Sequence, residues 1–304
     1  MADCIPDISI IIPALNGCPR IDSVLNAIYS QKINLTFEVI VIDSGSVDDT
    51  LETVRRYPAQ LYSITPEEFS HSVTRNYGAR LAQATSYLVF LNQDAVPTDD
   101  FWLDNLVRSI EFVPALKAVC ATELIEDKTY LNVYGVSNFV FRTSHTMGVH
   151  VIEPYILKRM QFLTKPQQRE LFPFTTVCAI FDRQHLLDHP FDEKVPWGED
   201  LYWAVRNSAE GYASGCTSLA RVYHYHDYTD EEVRAKMVHI RKIYLDLFDW
   251  SLDVKNEATE TVRTPLPGLL PLLKFVIYPV SKASAFLARL NSYLHRRYVR
   301  NGNS

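Results

Sequence analysis

Through its first hundred residues the chain alternates short β-branched runs with segments of helical spacing, and this alternation constrains the fold more than any other feature. ISIII (8–12) is followed by RIDSVLNAIYSQ (20–31), whose apolar residues fall at 21, 24, 25 and 28. FEVIVI (37–42) is followed by DDTLETVRRY (48–57), LYSI (61–64) by TRNYGARLAQA (74–84), and YLVFL (87–91) completes the series. Short apolar, often β-branched runs read as strands and 3.6-period runs as helices. Strands that alternate with helices predict a parallel sheet covered on both faces. Sheets of that kind bind ligands beyond the carboxyl ends of their strands.

The residues after each strand are therefore the ones to examine. Pro13-Ala14-Leu15-Asn16 follows the first strand, Asp43-Ser44-Gly45-Ser46 the second, and Asn92-Gln93-Asp94 the fourth. Polar groups thus gather at one predicted edge. A carboxylate at the tip of a buried strand costs several kcal/mol if it is dry and unpaired. Asp94 must be solvated or must meet positive charge.

Beyond residue 120 the pattern is harder to read. TTVCAIF (175–181) reads as a strand and DRQHLLDH as a short helix. VPWGEDLYWAVRNSAEGY (195–212) contains a helix beginning near Glu199 or Asp200, and ARVYHYHDYT (220–229) reads as a strand end. The predicted organisation is an α/β domain over 1–230 and a helical region over 231–304, with a charged helix at 231–250 leaving the body. Seven of the 30 basic residues and none of the 36 acids fall in 261–304, so the rest of the chain carries −13. An acidic body is a poor partner for nucleic-acid phosphates. LPGLLPLLKFVIYPV (266–280) is too short, and too rich in proline, to span a membrane. From 280 onward, apolar residues at 280, 283, 287, 290 and 294 lie beside basic ones. A basic amphipathic helix of this kind fits an anionic membrane surface, and equally a face packed on the body or on a partner. Five cysteines without a CxxC spacing argue against a disulfide framework or zinc site and for a reducing compartment. The first residues lack the apolar run of a signal peptide.

Several side chains carry chemistry, each with an ordinary alternative. Asp94 is either a turn acid or a ligand for a hard divalent cation, which needs few protein carboxylates when phosphate oxygens and water complete its shell. Asp200 is either a first-turn acid favoured by the helix dipole or a general base beside a substrate hydroxyl. His224 and His226 alternate along a strand and so share a face, as core or surface histidines or as metal ligands that Asp227 can orient. Asp43 precedes the capping positions Ser46 and Asp48 and can accept the imide N–H of a pyrimidine. Arg75 sits at a helix start, where a cation is unfavourable, and pairs either with an anionic ligand or with a local acid. Trp197 is a sugar-stacking platform or a packed loop residue.

The order of these signals is more specific than any one of them. SIIIPALN, VIDSGSVDDT, TRNYGA, FLNQDAVP, GED and a late HxH resemble, over about residues 8–229, the inverting family 2 glycosyltransferases of the GT-A fold. FSHSVTRN together with QDA is similar to the bacterial rhamnosyltransferases that use a dTDP-sugar. The resemblance implies a Rossmann-like α/β/α sandwich with a mostly parallel sheet and a C-terminal helical extension. It implies that Pro13, Ala14, Asn16, Asp43 and Ser44 line the nucleotide pocket, with Asp43 reading the base. Arg75, Asn76, Asn92 and Gln93 then lie near the nucleotide or diphosphate. Asp94 matches the last acid of the DxD metal motif, His224 the late metal-site histidine with His226 second, and Asp200 the base of the ED motif. Glu199 and Trp197 fall on the substrate side. Asn92 replaces the first DxD acid, which weakens the expected grip on metal. The implied reaction is a metal-dependent (Mg2+ or Mn2+) inverting transfer of L-rhamnose from a dTDP-sugar donor to a glycan hydroxyl. The implied acceptor is a lipid-linked oligosaccharide of bacterial surface polysaccharide, and the implied place is the inner face of the cell membrane. Transfer from another UDP- or dTDP-sugar, and non-catalytic binding of a sugar nucleotide or glycan, are the alternatives. The absence of GxGxxG argues against a dehydrogenase.

Overall fold

A computed structural model describes residues 5–124, 148–152 and 174–225, and beyond them residues 229, 231, 232, 234, 235, 238, 242, 243 and 247. The chain forms two compact units, Met1–Leu252 and Asp253–Ser304. The second, with the basic amphipathic segment, lies outside the described residues.

The four strands read from the sequence are present. They are β1 (Ile8–Ala14), β2 (Phe37–Asp43), β3 (Gln60–Ser63) and β4 (Tyr87–Leu91). β1 pairs in parallel with both β2 and β4, and β2 pairs in parallel with β3. Ile8, Ile10, Ile11 and Ile12 are all fully buried, because both faces of β1 are covered. On one side lies helix α1 (Arg20–Tyr29), which buries Ile21, Val24, Leu25 and Ile28. On the other lies α3 (His71–Leu81), set so close that a Cβ on Gly78 would stand 2.4 Å from Ile11. Between them in sequence is the short α2 (Thr50–Val54).

α3 starts three residues earlier than its spacing predicts. Ser70 is the reason: its side chain accepts from the Val73 N–H and satisfies one of the orphan donors of the first turn. Such a cap is a local event that apolar periodicity does not register.

The second half of the sheet is mixed. β8 (Cys178–Asp182) runs antiparallel to β4 and to β6 (Leu116–Leu124), and β6 runs parallel to β9 (Ala213–His224). β5 (Ala95–Pro97) and β7 (Val149–Ile152) flank β9, both antiparallel to it. The sheet order is β3-β2-β1-β4-β8-β6-β9-β5, with β7 on β9. Helix α4 (Trp102–Glu111) buries Trp102, Leu103, Leu106, Val107 and Ile110 against it. α5 (Arg183–Asp188) and α6 (Glu199–Ala209) follow β8, and described residues between 231 and 247 are also helical.

The segment after residue 230 does not simply leave the body. Ile243 is buried, and Leu247 packs on the same apolar cluster as Phe181, Phe191 and Trp203. Ile243 is also the side chain that a Cβ on Gly198 would strike, at 2.4 Å.

Candidate active site

The exits of β1, β2 and β4 meet at one edge and are tied together by short polar side chains. Ser44 donates to the Ala14 carbonyl at 3.0 Å. Asn16, in the left-handed region at φ 48°, receives the Val47 N–H on its Oδ1 at 2.9 Å and gives its own N–H to Ser46 Oγ at 2.8 Å. The Gln93 amide mimics a strand partner for Leu15, accepting from its N–H at 2.9 Å and donating to its carbonyl at 2.8 Å. Asp43 is buried, and its carboxylate receives the Gly45 and Ser46 N–H groups at 3.0 and 3.1 Å. The expected nucleotide-side residues Pro13, Ala14, Asn16, Asp43, Ser44 and Gln93 thus share one edge, several of them already used in shaping the loops.

Beside this edge, β5 places Ala95 opposite His224, the last residue of β9. Asp94 therefore faces the imidazole: its Oδ1 is 3.4 Å from His224 Nε2. The other ring nitrogen, Nδ1, is 2.8 Å from Glu123 Oε2 on β6. Burial disfavours charge on His224, but the hydrogen bonds and charges of Asp94 and Glu123 outweigh it and push the imidazole up to about 9. Asp94 retains 29% of its side-chain exposure, while His224 retains 6%. Once a cation displaces the Nε2 proton, the imidazole, its far nitrogen held by a second acid, joins one accessible carboxylate in a donor set that fits Mg2+ or Mn2+ when diphosphate oxygens and water supply the rest. Among the described residues, no group of three or more His, Cys, Asp or Glu side chains is arranged to hold a metal by itself. His226 lies outside the described residues.

The third part is the start of α6. Gly198, at φ 78°, caps the helix, and Glu199 and Asp200 form its first turn. Asp200 is partly exposed; it receives the Leu201 N–H on Oδ1 at 2.8 Å and the Thr176 N–H on Oδ2 at 3.1 Å. Burial, then the neighbouring Glu199 charge, push its carboxyl up to about 6 against the opposing pull of these hydrogen bonds and of Arg75. A carboxylate poised there is ionised at neutral pH yet basic enough to take a proton. Trp197 is half-buried and packs on the apolar cluster under α6.

Arg75 and Asn76, expected near the diphosphate, have other partners. Arg75 pairs with Glu199 at 2.5 Å, each side chain 3% exposed, and donates to Asn92 Oδ1 at 3.1 Å. Asn76 is buried and exchanges two hydrogen bonds with the Phe191 backbone, at 2.9 and 3.1 Å. Glu199 is thus a buried partner of an arginine. The Arg75 bridge to Asn92, and the Asn92 N–H bond to the Val177 carbonyl at 2.8 Å, tie the strand exit bearing Asp94 to the helix start bearing Asp200. Two contributors, Glu123 and Thr176, carry no signal in the sequence. Each is an isolated polar residue whose partner is fixed only by the pairing of distant strands.

The sequence model of Glycosyl transferase family 2 matches residues 9–187. The O-antigen chain rhamnosyltransferase WbaN of Salmonella anatum is 25% identical over 75% of this chain and 69% of its own length. RfbN of Salmonella typhimurium, also an O-antigen chain rhamnosyltransferase, is 28% identical over 74% and 68%. Among solved structures, glucosyl-3-phosphoglycerate synthase from Mycobacterium tuberculosis, in complex with Mn2+, UDP and glucosyl-3-phosphoglycerate, superposes with a TM-score of 0.56. It has 18% identity and covers 82% of each chain. That likeness bears on the fold, which is GT-A. The family match spans more than half of the sequence, and by it the chain belongs to glycosyl transferase family 2 and is a glycosyltransferase.

Proposed function

We propose that this glycosyltransferase moves L-rhamnose from dTDP-rhamnose to a hydroxyl of a lipid-linked glycan, with inversion at the anomeric carbon. The observation that carries the chemistry is Asp94 facing His224 Nε2 at 3.4 Å while Glu123 holds Nδ1. That arrangement suits a cation-assisted diphosphate leaving group better than a simple glycan-binding surface. Rhamnose is supported by the O-antigen rhamnosyltransferase relatives, and metal use by the Mn2+ bound in a structural neighbour.

In this reading Asp200 takes the proton of the acceptor hydroxyl as that oxygen attacks the anomeric carbon. The bond from that carbon to the diphosphate oxygen breaks, and its electron pair leaves with dTDP. One displacement inverts the centre. Asp94 and His224 would hold the divalent ion, which when bound offsets charge on the departing diphosphate. The loops of Asn16, Asp43 and Ser44 receive the nucleotide. Asp43 keeps its Oδ1 nearly free, its one amide contact there being 3.3 Å, and that oxygen can accept the thymine imide N–H. Trp197 borders the sugar.

The basic tail at 280–304 is assigned to the inner membrane surface, where a lipid-linked acceptor resides. No helix among the described residues is long and apolar enough to cross a membrane. Deleting 265–304 should leave the protein unable to pellet with anionic liposomes; equal pelleting would remove the tail from that role.

A thermal-shift screen with Mn2+ and dTDP-, UDP- and GDP-sugars tests the donor. A ligand that binds the native state raises its melting temperature by mass action. dTDP-rhamnose should give the largest rise. A larger rise with a UDP- or GDP-sugar would overturn the assignment.

A further inference from the structure

The segment FSHSVTRN is used along one side of α3 as a dock for the loop that carries Glu199 and Asp200. The His71 N–H donates to the Pro196 carbonyl at 3.2 Å, and Ser72 Oγ donates to the Val195 carbonyl at 2.7 Å. One turn further on, Arg75 meets Glu199 and Asn76 meets Phe191 and Glu193. Positions 72, 75 and 76 lie three and four residues apart, so they share a helix face. The contacts this face makes to other elements go to residues 191–199 and, through Arg75, to Asn92.

We propose that Arg75 is a positioning residue for the transfer step: it neutralises buried Glu199 and fixes the 191–199 loop so that the Asp200 carboxylate stays aimed at the acceptor. The inference rests on Asp200 being the proton acceptor, as read above. Two charges at 3% exposure are tolerated only as a pair, since either alone would carry an uncompensated desolvation cost. Glu199 is also bound by Thr176 Oγ1 at 3.2 Å, and the same Thr176 donates its N–H to Asp200. The arginine, the two acids and the threonine therefore form one unit. The charged groups facing Asp200 are Glu199 from its own helix and Arg75 from α3, with the His71 imidazole 3.1 Å from Arg75. Glu199 raises the proton affinity of Asp200, and Arg75 lowers it.

The test pairs turnover of dTDP-rhamnose with calorimetric binding of dTDP and Mn2+. Arg75→Gln should lower kcat by roughly 10²-fold, the scale of loss from a reacting group displaced by about 1 Å, while dTDP affinity stays at the wild-type value. Glu199→Gln keeps an acceptor for Arg75 but removes the charge beside Asp200, so the acid limb of kcat/KM should move to lower pH. If Arg75→Gln does not fold, Arg75→Lys, which keeps the buried pair charged but loses the planar fork that reaches both Glu199 and Asn92, takes its place in the same two measurements. A loss of dTDP affinity in step with turnover in Arg75→Gln would make Arg75 a donor ligand and overturn the proposal. So would an acid limb unmoved in Glu199→Gln. Asp200→Asn in the same assay separates the two readings. If Asp200→Asn keeps full turnover, the base assignment falls and takes this inference with it. If Asp200→Asn is inactive while the Arg75 and Glu199 variants give the contrary results, only this inference falls.

Discussion

Glu123 on β6 reaches His224 on β9 and holds its Nδ1 at 2.8 Å, turning Nε2 toward Asp94. The parallel β6–β9 pairing brings these two strands side by side, with Glu123 opposite Val222 in register. A carboxylate behind an imidazole fixes the ring and raises its basicity as a ligand. Glu123→Gln should therefore weaken Mn2+-dependent dTDP binding by about 10–100-fold. Isothermal titration with and without Mn2+ measures this, and equal affinity in variant and wild type would free Glu123 of the role.

Asp94→Ala removes the accessible carboxylate of the same pair. Its dTDP affinity should become independent of Mn2+, while affinity without metal stays close to wild type. A variant that still gains affinity on adding Mn2+ would show that the cation is held elsewhere.

Asp200→Asn should lower turnover by about 10²–10⁴-fold, which is roughly 3–5 kcal/mol of barrier, with dTDP binding retained. In the wild type, kcat/KM should rise with pH through an acid limb near 6, the value to which burial and Glu199 push Asp200. A limb at the ordinary carboxylate range would argue for a different base.

The raised carboxyl also has a consequence for stability. Between the ordinary value of 3.8 and about 6, the folded state holds a proton on Asp200 that the unfolded chain has released. Folding stability contributed by that group is therefore fully present at low pH and falls as pH rises through this window. About two pKa units correspond to roughly 3 kcal/mol as an upper figure, since Asp200 is partly exposed. Asp200→Asn should accordingly be stabilised relative to wild type at pH 7.5 and gain little at pH 4. Thermal melts at the two pH values would contradict this by showing the same difference at both.

Gly198→Ala places a Cβ at φ 78° and 2.4 Å from Ile243 Cδ1. Left-handed strain in a non-glycine residue costs on the order of 1–3 kcal/mol, before the clash is counted. The melting temperature should fall by several degrees and turnover should fall with it, because Asp200 is two residues away. Adding Ile243→Ala relieves only the clash, so a full rescue by that second change would place the whole effect in packing.

The first half of the sheet is legible because β1, β2 and β4 are largely buried on both faces and read as short, mostly apolar runs. Asp94 stood out for the same reason, as an acid ending such a run. β5 was hidden, since three residues ending in Pro97 carry no strand signature, yet it is β5 that sets Asp94 against His224. Glu123 and Thr176 were invisible because their roles depend on pairings across 101 and 24 residues of sequence. Arg75 reads from the sequence as a cation at a helix start, which fits an anionic ligand or a local acid, although the Ser70 cap begins α3 a turn earlier. The structure supplies an acid, Glu199, at 124 residues' distance. Periodicity gives elements and their exposed ends; it does not say which ends meet.

The most direct measurement is anomalous diffraction at the manganese edge from crystals of Asp200→Asn grown with dTDP-rhamnose and Mn2+. The account predicts one manganese peak bonded to an Asp94 oxygen and His224 Nε2, with residue 200 on the side of the anomeric carbon away from the diphosphate. A peak elsewhere, or residue 200 on the diphosphate side, would contradict it.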